Sequence, residues 1–334
     1  MEEKGRIGIP KALMYYRYFP LWHAFLQGLG WKVVVSDGLG KVGKIIYFED
    51  SCLPMKLLIT HAVSLRDQVD FLFVPRLVSV HRTYIMCPKF RGAPDIVRLA
   101  TEGHLSLIDE TIDLRAGRNA LLQSFLKIGK KLGASSQETK RAFMKGEQFY
   151  SQFKKEWSDR INWLPSKDLF QLDISTPSGK NIFSPRVNDH LRVAFVGHPY
   201  NLFDQDINKD VLTLTKQLGI EIFTPEHLSE EEINRQISDL SKEIYWSSGR
   251  EIVGALFHFL KGGMDGVIFL TAFKCGIDAL LQEFIKRSLK IRGEPSIPFL
   301  VLSFDEHTGR EGLVTRLEAF KDVIESQKGS QAKV

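Results

Sequence analysis

Cysteine is scarce in this sequence: three residues in 334, at Cys52, Cys87 and Cys275. Three widely spaced thiols cannot all pair within one chain, which argues against the disulfide framework of a small secreted domain. No run of about 18 apolar residues occurs, so a membrane-spanning helix is not expected. The start, Met1-Glu2-Glu3-Lys4-Gly5, has no basic region followed by an apolar one, and reads as an uncleaved cytoplasmic sequence. The chain also lacks a dense basic stripe. Its 45 basic and 40 acidic residues are dispersed, and most of its 23 Phe fall in apolar runs such as Phe71-Leu72-Phe73-Val74. That pattern gives core rather than a nucleic-acid surface, while leaving room for a small phosphorylated ligand such as coenzyme A.

With 43% hydrophobic residues, the chain can bury substantial cores, and its length favours two domains. Arg6-Ile7-Gly8-Ile9-Pro10 predicts a strand, followed by a helix interrupted or offset by Pro20. Trp31–Val35 predicts a second strand and Lys44–Phe48 a third element leading into the Cys52 turn. Pro54 suits the first turn of the next helix. Asp70–Val74 has the near-continuous apolar character of a parallel strand covered on both faces. An irregular segment, 76–94, then contains Cys87. A helix from Asp95 to Glu102 and a strand at Leu105–Ile108 complete the region.

Leu121, Leu122, Phe125, Leu126, Ile128 and Leu132 recur at helical spacing, and Gly133 ends that helix. Ser135 and Glu138 offer a capping box for another through Trp157. The polar stretch 164–189 reads as a linker. A second alternating region opens at Leu191–Gly197. It continues through a helix at 206–218, a strand at Glu221–Thr224 and helices near 230–239 and 248–261. The strand Asp265–Leu270 leads to Cys275, followed by a helix at 277–288, a strand at Pro298–Phe304 and a helix at 311–325. From Lys328 onward the chain reads as a frayed tail. The expected fold is therefore α/β, with two doubly wound, Rossmann-like parallel-sheet domains at 1–113 and 190–327 and a helical connector with linker at 114–189.

Each cysteine stands at a break between elements, flanked by Pro or Gly, rather than inside an apolar strand where a space-filling cysteine belongs. The working expectation is that the three converge on one iron–sulfur cluster, although no compact Cys-x-x-Cys unit is present. Alternatives are a thiolate nucleophile with His61 or His307 as base, a Cys/His zinc site, or buried filler. Gly38-Leu39-Gly40-Lys41-Val42-Gly43-Lys44-Ile45 imitates a phosphate loop. However, Ile45 replaces the Ser or Thr that would meet Mg²⁺, and a strand rather than a helix is expected next, so a glycine-rich turn is the better reading. Glu306 and His307 follow the last strand and are candidates for proton movement or polar ligand binding. Asp305 or Thr308 equally serves as a helix cap. His198-Pro199-Tyr200-Asn201 has the same location and the same two readings.

Several stretches together resemble the acyl-CoA dehydratase activase-related proteins. They are Ile7-Gly8-Ile9-Pro10-Lys11-Ala12-Leu13, Asp50-Ser51-Cys52-Leu53-Pro54, Val74-Pro75-Arg76, Cys87-Pro88-Lys89-Phe90, Cys275-Gly276 and Asp305-Glu306-His307-Thr308-Gly309. That family is related to the cluster-binding subunits of 2-hydroxyacyl-CoA dehydratases and to double-cubane cluster proteins. The resemblance implies a 4Fe–4S cluster ligated by Cys52, Cys87 and Cys275. It also implies an ATP-dependent activase as partner, a homologous second subunit or homodimer, and an acyl-CoA substrate in anaerobic metabolism. In the dehydratases the activase injects a low-potential electron and the acceptor subunit forms a ketyl radical that eliminates water. The resemblance places this chain on the electron-acceptor side, with a non-catalytic scaffold or assembly partner as the alternative.

Overall fold

Ile7, Gly8 and Ile9 of β1 (Arg6–Ile9) are buried and only Arg6 at its start is exposed, as expected for a strand with neighbours on both edges and layers on both faces. In the computed structural model, described for residues 4–38, 45–46, 48, 50–163, 190–238, 240, 243–292 and 297–331, β1 leads into α1 (Tyr15–Gly28) and β2 (Lys32–Val35). There follow α2 (Leu53–Leu65), β3 (Phe71–Phe73), β4 (Arg76–Ser79), α3 (Pro88–Ala100), β5 (Ser106–Ile108), β6 (Thr111–Asp113), α4 (Ala120–Lys131) and α5 (Ser136–Trp163). The second half contains β7 (Leu191–Gly197), α6 (Pro199–Phe203), α7 (Gln205–Asn208), α8 (Val211–Gln217), β8 (Ile220–Phe223), α9 (Glu230–Ile237) and α10 (Ser247–Lys261). It ends with β9 (Gly266–Ala272), α11 (Gly276–Arg292), β10 (Phe299–Phe304) and α12 (Arg310–Gln331).

The chain divides into two compact units, Met1–Lys154 with Ile244–Ser247, and Lys155–Glu243 with Ser248–Val334. Each carries a four-stranded, all-parallel sheet, β2-β1-β3-β5 in the first and β10-β9-β7-β8 in the second. Read in chain order, both sheets follow one plan: the first strand lies between the second and the third, and the fourth flanks the third. The mixed α/β, parallel-sheet fold expected from the sequence is therefore present. In such a plan the chain reverses its direction of growth between the first and third strands, and the crevice at their carboxyl ends is the usual ligand position.

Within the first unit, α4 packs on α1 through the edge-to-face pair Phe25–Phe125, whose ring centres are 4.7 Å apart, and both rings are fully buried. Gly133 ends α4 in the left-handed conformation that favours glycine, and the expected capping box opens α5: Ser135 N and Oγ donate to Glu138 Oε2 at 2.8 and 2.7 Å. A second, two-stranded parallel sheet joins β4 to β6. In the second unit every residue of β7 and β9 is buried.

Several local expectations change. Pro20 does not interrupt α1, which runs through it at its sixth residue without the hydrogen bond that an N–H there would have made. Segment 76–94 is not irregular throughout: it holds β4, and α3 begins at Pro88 and tolerates Pro94. Ile45, Ile46 and Phe48 are not in a strand; the Ile46 N–H donates to the Thr60 hydroxyl (2.8 Å) instead of to a neighbouring strand. The single helix at 206–218 is broken, since Lys209 and Asp210 take left-handed φ of 53° and 66° and Asp210 N donates to Asn208 Oδ1. The last helix runs on to Gln331, and Lys328 Nζ reaches Asp265 Oδ1 at 3.0 Å. The linker 164–189 and most of the glycine-rich stretch, residues 39–44, lie outside the described residues.

Candidate metal-binding residues

All three cysteines occupy the same structural position: the last non-helical residue before a helix, Cys52 before α2, Cys87 before α3 and Cys275 before α11. Cys52 and Cys87 have extended ψ of 155° and 139°, and proline lies within the first two residues of each following helix. Proline is compatible with a helix's first turn at both places, and in Cys87-Pro88 it also disfavours helical backbone at the cysteine directly before it. The first-turn N–H groups have no partner within the helix and carry the positive end of its dipole, so an anionic sulfur is favoured there.

In the first unit, α2 packs against α3. Lys89 Nζ donates to the Asp50 carbonyl at 3.0 Å, fastening a residue two places after Cys87 to one two places before Cys52. Arg76 holds α3 to β4 by a two-pronged ion pair with Asp95, with N–O distances of 2.6 and 2.9 Å, and also donates to the Arg91 carbonyl. The Arg76 hydrogen bond keeps the Asp95 carboxyl below the usual carboxylate range. From the other side, residues 245–247 run beside Ile85: Ile85 N donates to Tyr245 O (3.0 Å) and Ser247 N to Ile85 O (2.9 Å). Asp50, two residues before Cys52, has φ of 59°, and Lys274, immediately before Cys275, has φ of 63°. Backbone held in the left-handed region without glycine is strained, and such strain collects at functional sites.

Cys275 lies in the second unit, where β9 ends, and His198 follows directly from the end of β7. These are the third and first strands of that sheet, so the two residues flank the reversal point of the strand order. Asp278, in the first turn of α11, completes a group of three whose ligand atoms all lie within 4.8 Å of one another. His198 and Asp278 are 2% and 1% exposed, with Nε2 and Oδ1 2.9 Å apart. Asp278 Oδ2 accepts from the Ala272 N–H (3.1 Å) and from Asn201 Nδ2 (3.2 Å), which also donates to the Leu270 carbonyl (3.3 Å). Tyr200 stacks on the His198 ring. The sequence placed His198 and Asn201 at a strand's carboxyl end, but Asp278 was missed; its signal was an acid three residues after a helix-capping cysteine.

These three donors could hold a metal ion. The chain belongs to the CoA enzyme activase uncharacterised domain family (DUF2229). The family match covers residues 6–228, two-thirds of the chain, and includes Cys52, Cys87 and His198. No curated protein matches the chain. Membership of this family agrees with the activase-related resemblance of the sequence.

Asp305 Oδ1 accepts from His307 N (2.9 Å) and from the Thr308 hydroxyl (2.8 Å), and Thr308 Oγ1 accepts from Asp305 N (2.9 Å). Asp305 and Thr308 thus build the turn before α12, with His307 exposed and Glu306 half-buried. His61 is fully buried on α2, nine residues and therefore about 13 Å along the axis from Cys52, too far to act as its base. Among the described residues no helix is long and apolar enough to cross a membrane.

Proposed function

We propose that this protein is an iron–sulfur electron acceptor related to the 2-hydroxyacyl-CoA dehydratases, reduced by an ATP-dependent activase and acting reductively on a CoA thioester or another small molecule. Its 4Fe–4S cluster would be held by Cys52, Cys87 and Cys275. The observation that carries the reading is the shared position of the three thiols, each at the N-terminus of a helix of 13 or more residues. Family membership supports the activase system as its setting. When bound, such a cluster supplies low-potential one-electron chemistry.

The protein's own residues fit that group. Thiolate is the form in which cysteine binds iron, and the helix N-termini favour it. Pro54 and Pro88 fix the entry of the backbone into two of those helices. Burial of Cys52 keeps water from its sulfur, and Lys89 holds the Cys52 turn to the start of α3. Glu306 and His307, beyond β10, are the proposed proton-moving residues.

Anaerobic reconstitution should give about four iron and four sulfide per chain. Cys52→Ser, Cys87→Ser and Cys275→Ser should each lower that number. Protein that stays free of iron after reconstitution defeats the proposal. With activase, ATP and a low-potential reductant, a 2-hydroxyacyl-CoA should change the cluster's paramagnetic signal, and Glu306→Gln or His307→Ala should slow turnover without lowering iron content. A signal indifferent to every substrate favours a scaffold role.

A further inference from the structure

We propose that Cys275, His198 and Asp278 form a site for a single divalent transition-metal ion, zinc or ferrous iron, built within the second unit alone. Bonds of about 2.0–2.3 Å from sulfur, nitrogen and oxygen to one ion keep its ligand atoms within about 4.6 Å of each other. The three side chains offer one atom each within 4.8 Å of one another. This spacing is close to that limit, so a small closure of the three side chains would seat one ion.

The contact between His198 and Asp278 points the same way. Nε2 and Oδ1 are 2.9 Å apart, yet among the described residues neither atom makes a hydrogen bond. Two buried polar atoms that approach this closely without a hydrogen bond are placed as two adjacent ligands on a cation would be. His198 Nδ1 and Asn201 Oδ1 are likewise buried without a hydrogen bond among the described residues. Buried polar atoms are ordinarily satisfied, so this concentration of orphans in one place calls for a bound group.

The second layer is already assembled. Asp278 Oδ2 is held by Asn201 and by the Ala272 N–H, which leaves Oδ1 as the atom presented to the ion. One thiolate, one imidazole and one carboxylate suit zinc or ferrous iron better than magnesium or calcium, and three protein ligands leave a position for water or substrate. Cys275 is also a proposed cluster ligand. One sulfur in this geometry serves one occupant at a time, so the single ion belongs to the cluster-free protein.

The test is anaerobic titration of the full-length, iron-free chain with Co²⁺. One equivalent should bind, with a near-ultraviolet thiolate-to-metal absorption that excess Zn²⁺ removes. The double variant Cys52→Ser/Cys87→Ser should keep that absorption and Cys275→Ser should lose it. His198→Ala should weaken Co²⁺ at least tenfold, as should the shape-preserving Asp278→Asn, with far-ultraviolet circular dichroism confirming the fold of each variant. Loss of the absorption in the double variant, or unchanged Co²⁺ affinity in either folded variant, overturns the proposal. The cluster reading fails separately: His198→Ala should still take up iron and sulfide, whereas the double variant should not.

Discussion

Gly197 ends β7 one residue before His198, and a Cβ at that position would come within 2.7 Å of the Leu270 carbonyl oxygen on β9. The obstacle is backbone, which cannot rotate away. Gly197→Ala should therefore part the two central strands, lowering stability by about 1–3 kcal/mol in urea unfolding. Because His198 and Cys275 hang from the ends of those strands, Co²⁺ affinity should fall with it. An unchanged urea midpoint would refute the tight approach. His61 provides a second measurement at this scale. Burial, followed by the charge of Lys11, pushes its pKa down to about 4, against about 6.5 in an unfolded chain. Between those values the unfolded chain binds a proton that the folded one does not. Its contribution to stability is thus complete above pH 6.5 and is lost as pH falls toward 4. His61→Leu should flatten the dependence of the urea midpoint on pH across that window, and an identical slope in both proteins would contradict the assignment.

The helix N-termini are where sequence and structure meet most closely. Cys52-Leu53-Pro54 was legible as a helix start because proline tolerates so few backbone positions, and the Ser135–Glu138 box was legible because its chemistry is local. The start of α3 was not. Its Gly92 and Pro94 imitate a loop, and the helix stands because Phe90, Ala93 and Val97 are buried and Arg76 grips Asp95 from another element. The partnership of His198 with Asp278 was hidden for the same reason: 80 positions separate residues that the sheet brings to 2.9 Å. The break at Lys209–Asp210 goes with a hydrogen bond donated by the Asp210 N–H to the Asn208 side-chain oxygen, which helical periodicity does not register. The tie between Lys89 and the Asp50 carbonyl makes an element-scale prediction. Lys89→Met should leave the unfolding free energy in urea within about 0.5 kcal/mol, as befits a partly exposed side chain. It should nonetheless speed thiol-reagent labelling of Cys52 several-fold by releasing the turn before α2. Equal labelling rates would show that the turn is held by other contacts.

At the scale of the whole molecule, the two units repeat one strand order without a residue repeat that could be aligned. The repeat lies in topology, which apolar strands and short connections preserve while side chains diverge. The two metal proposals also meet here, because Cys275 is common to both. Protein preloaded with Co²⁺ and then supplied with iron and sulfide should release Co²⁺ in proportion to cluster formed. Retention of the full thiolate absorption alongside a complete cluster would show that they do not share that sulfur.

The short bridge beside Ile85 also bears on how the protein is made. The segment that flanks the approach to Cys87 is supplied by residues 245–247, and Ser247 lies 162 positions after Ile85. At roughly 5–20 residues per second, a ribosome needs about 8–32 s to make that stretch. The first unit, though almost all of it is encoded by residue 154, therefore cannot finish folding until Ser247 has been made. Until then Met86 N can already donate to the Val78 carbonyl of β4, but Ile85 lacks its bridge, and the nascent chain must wait for its own later sequence to supply it.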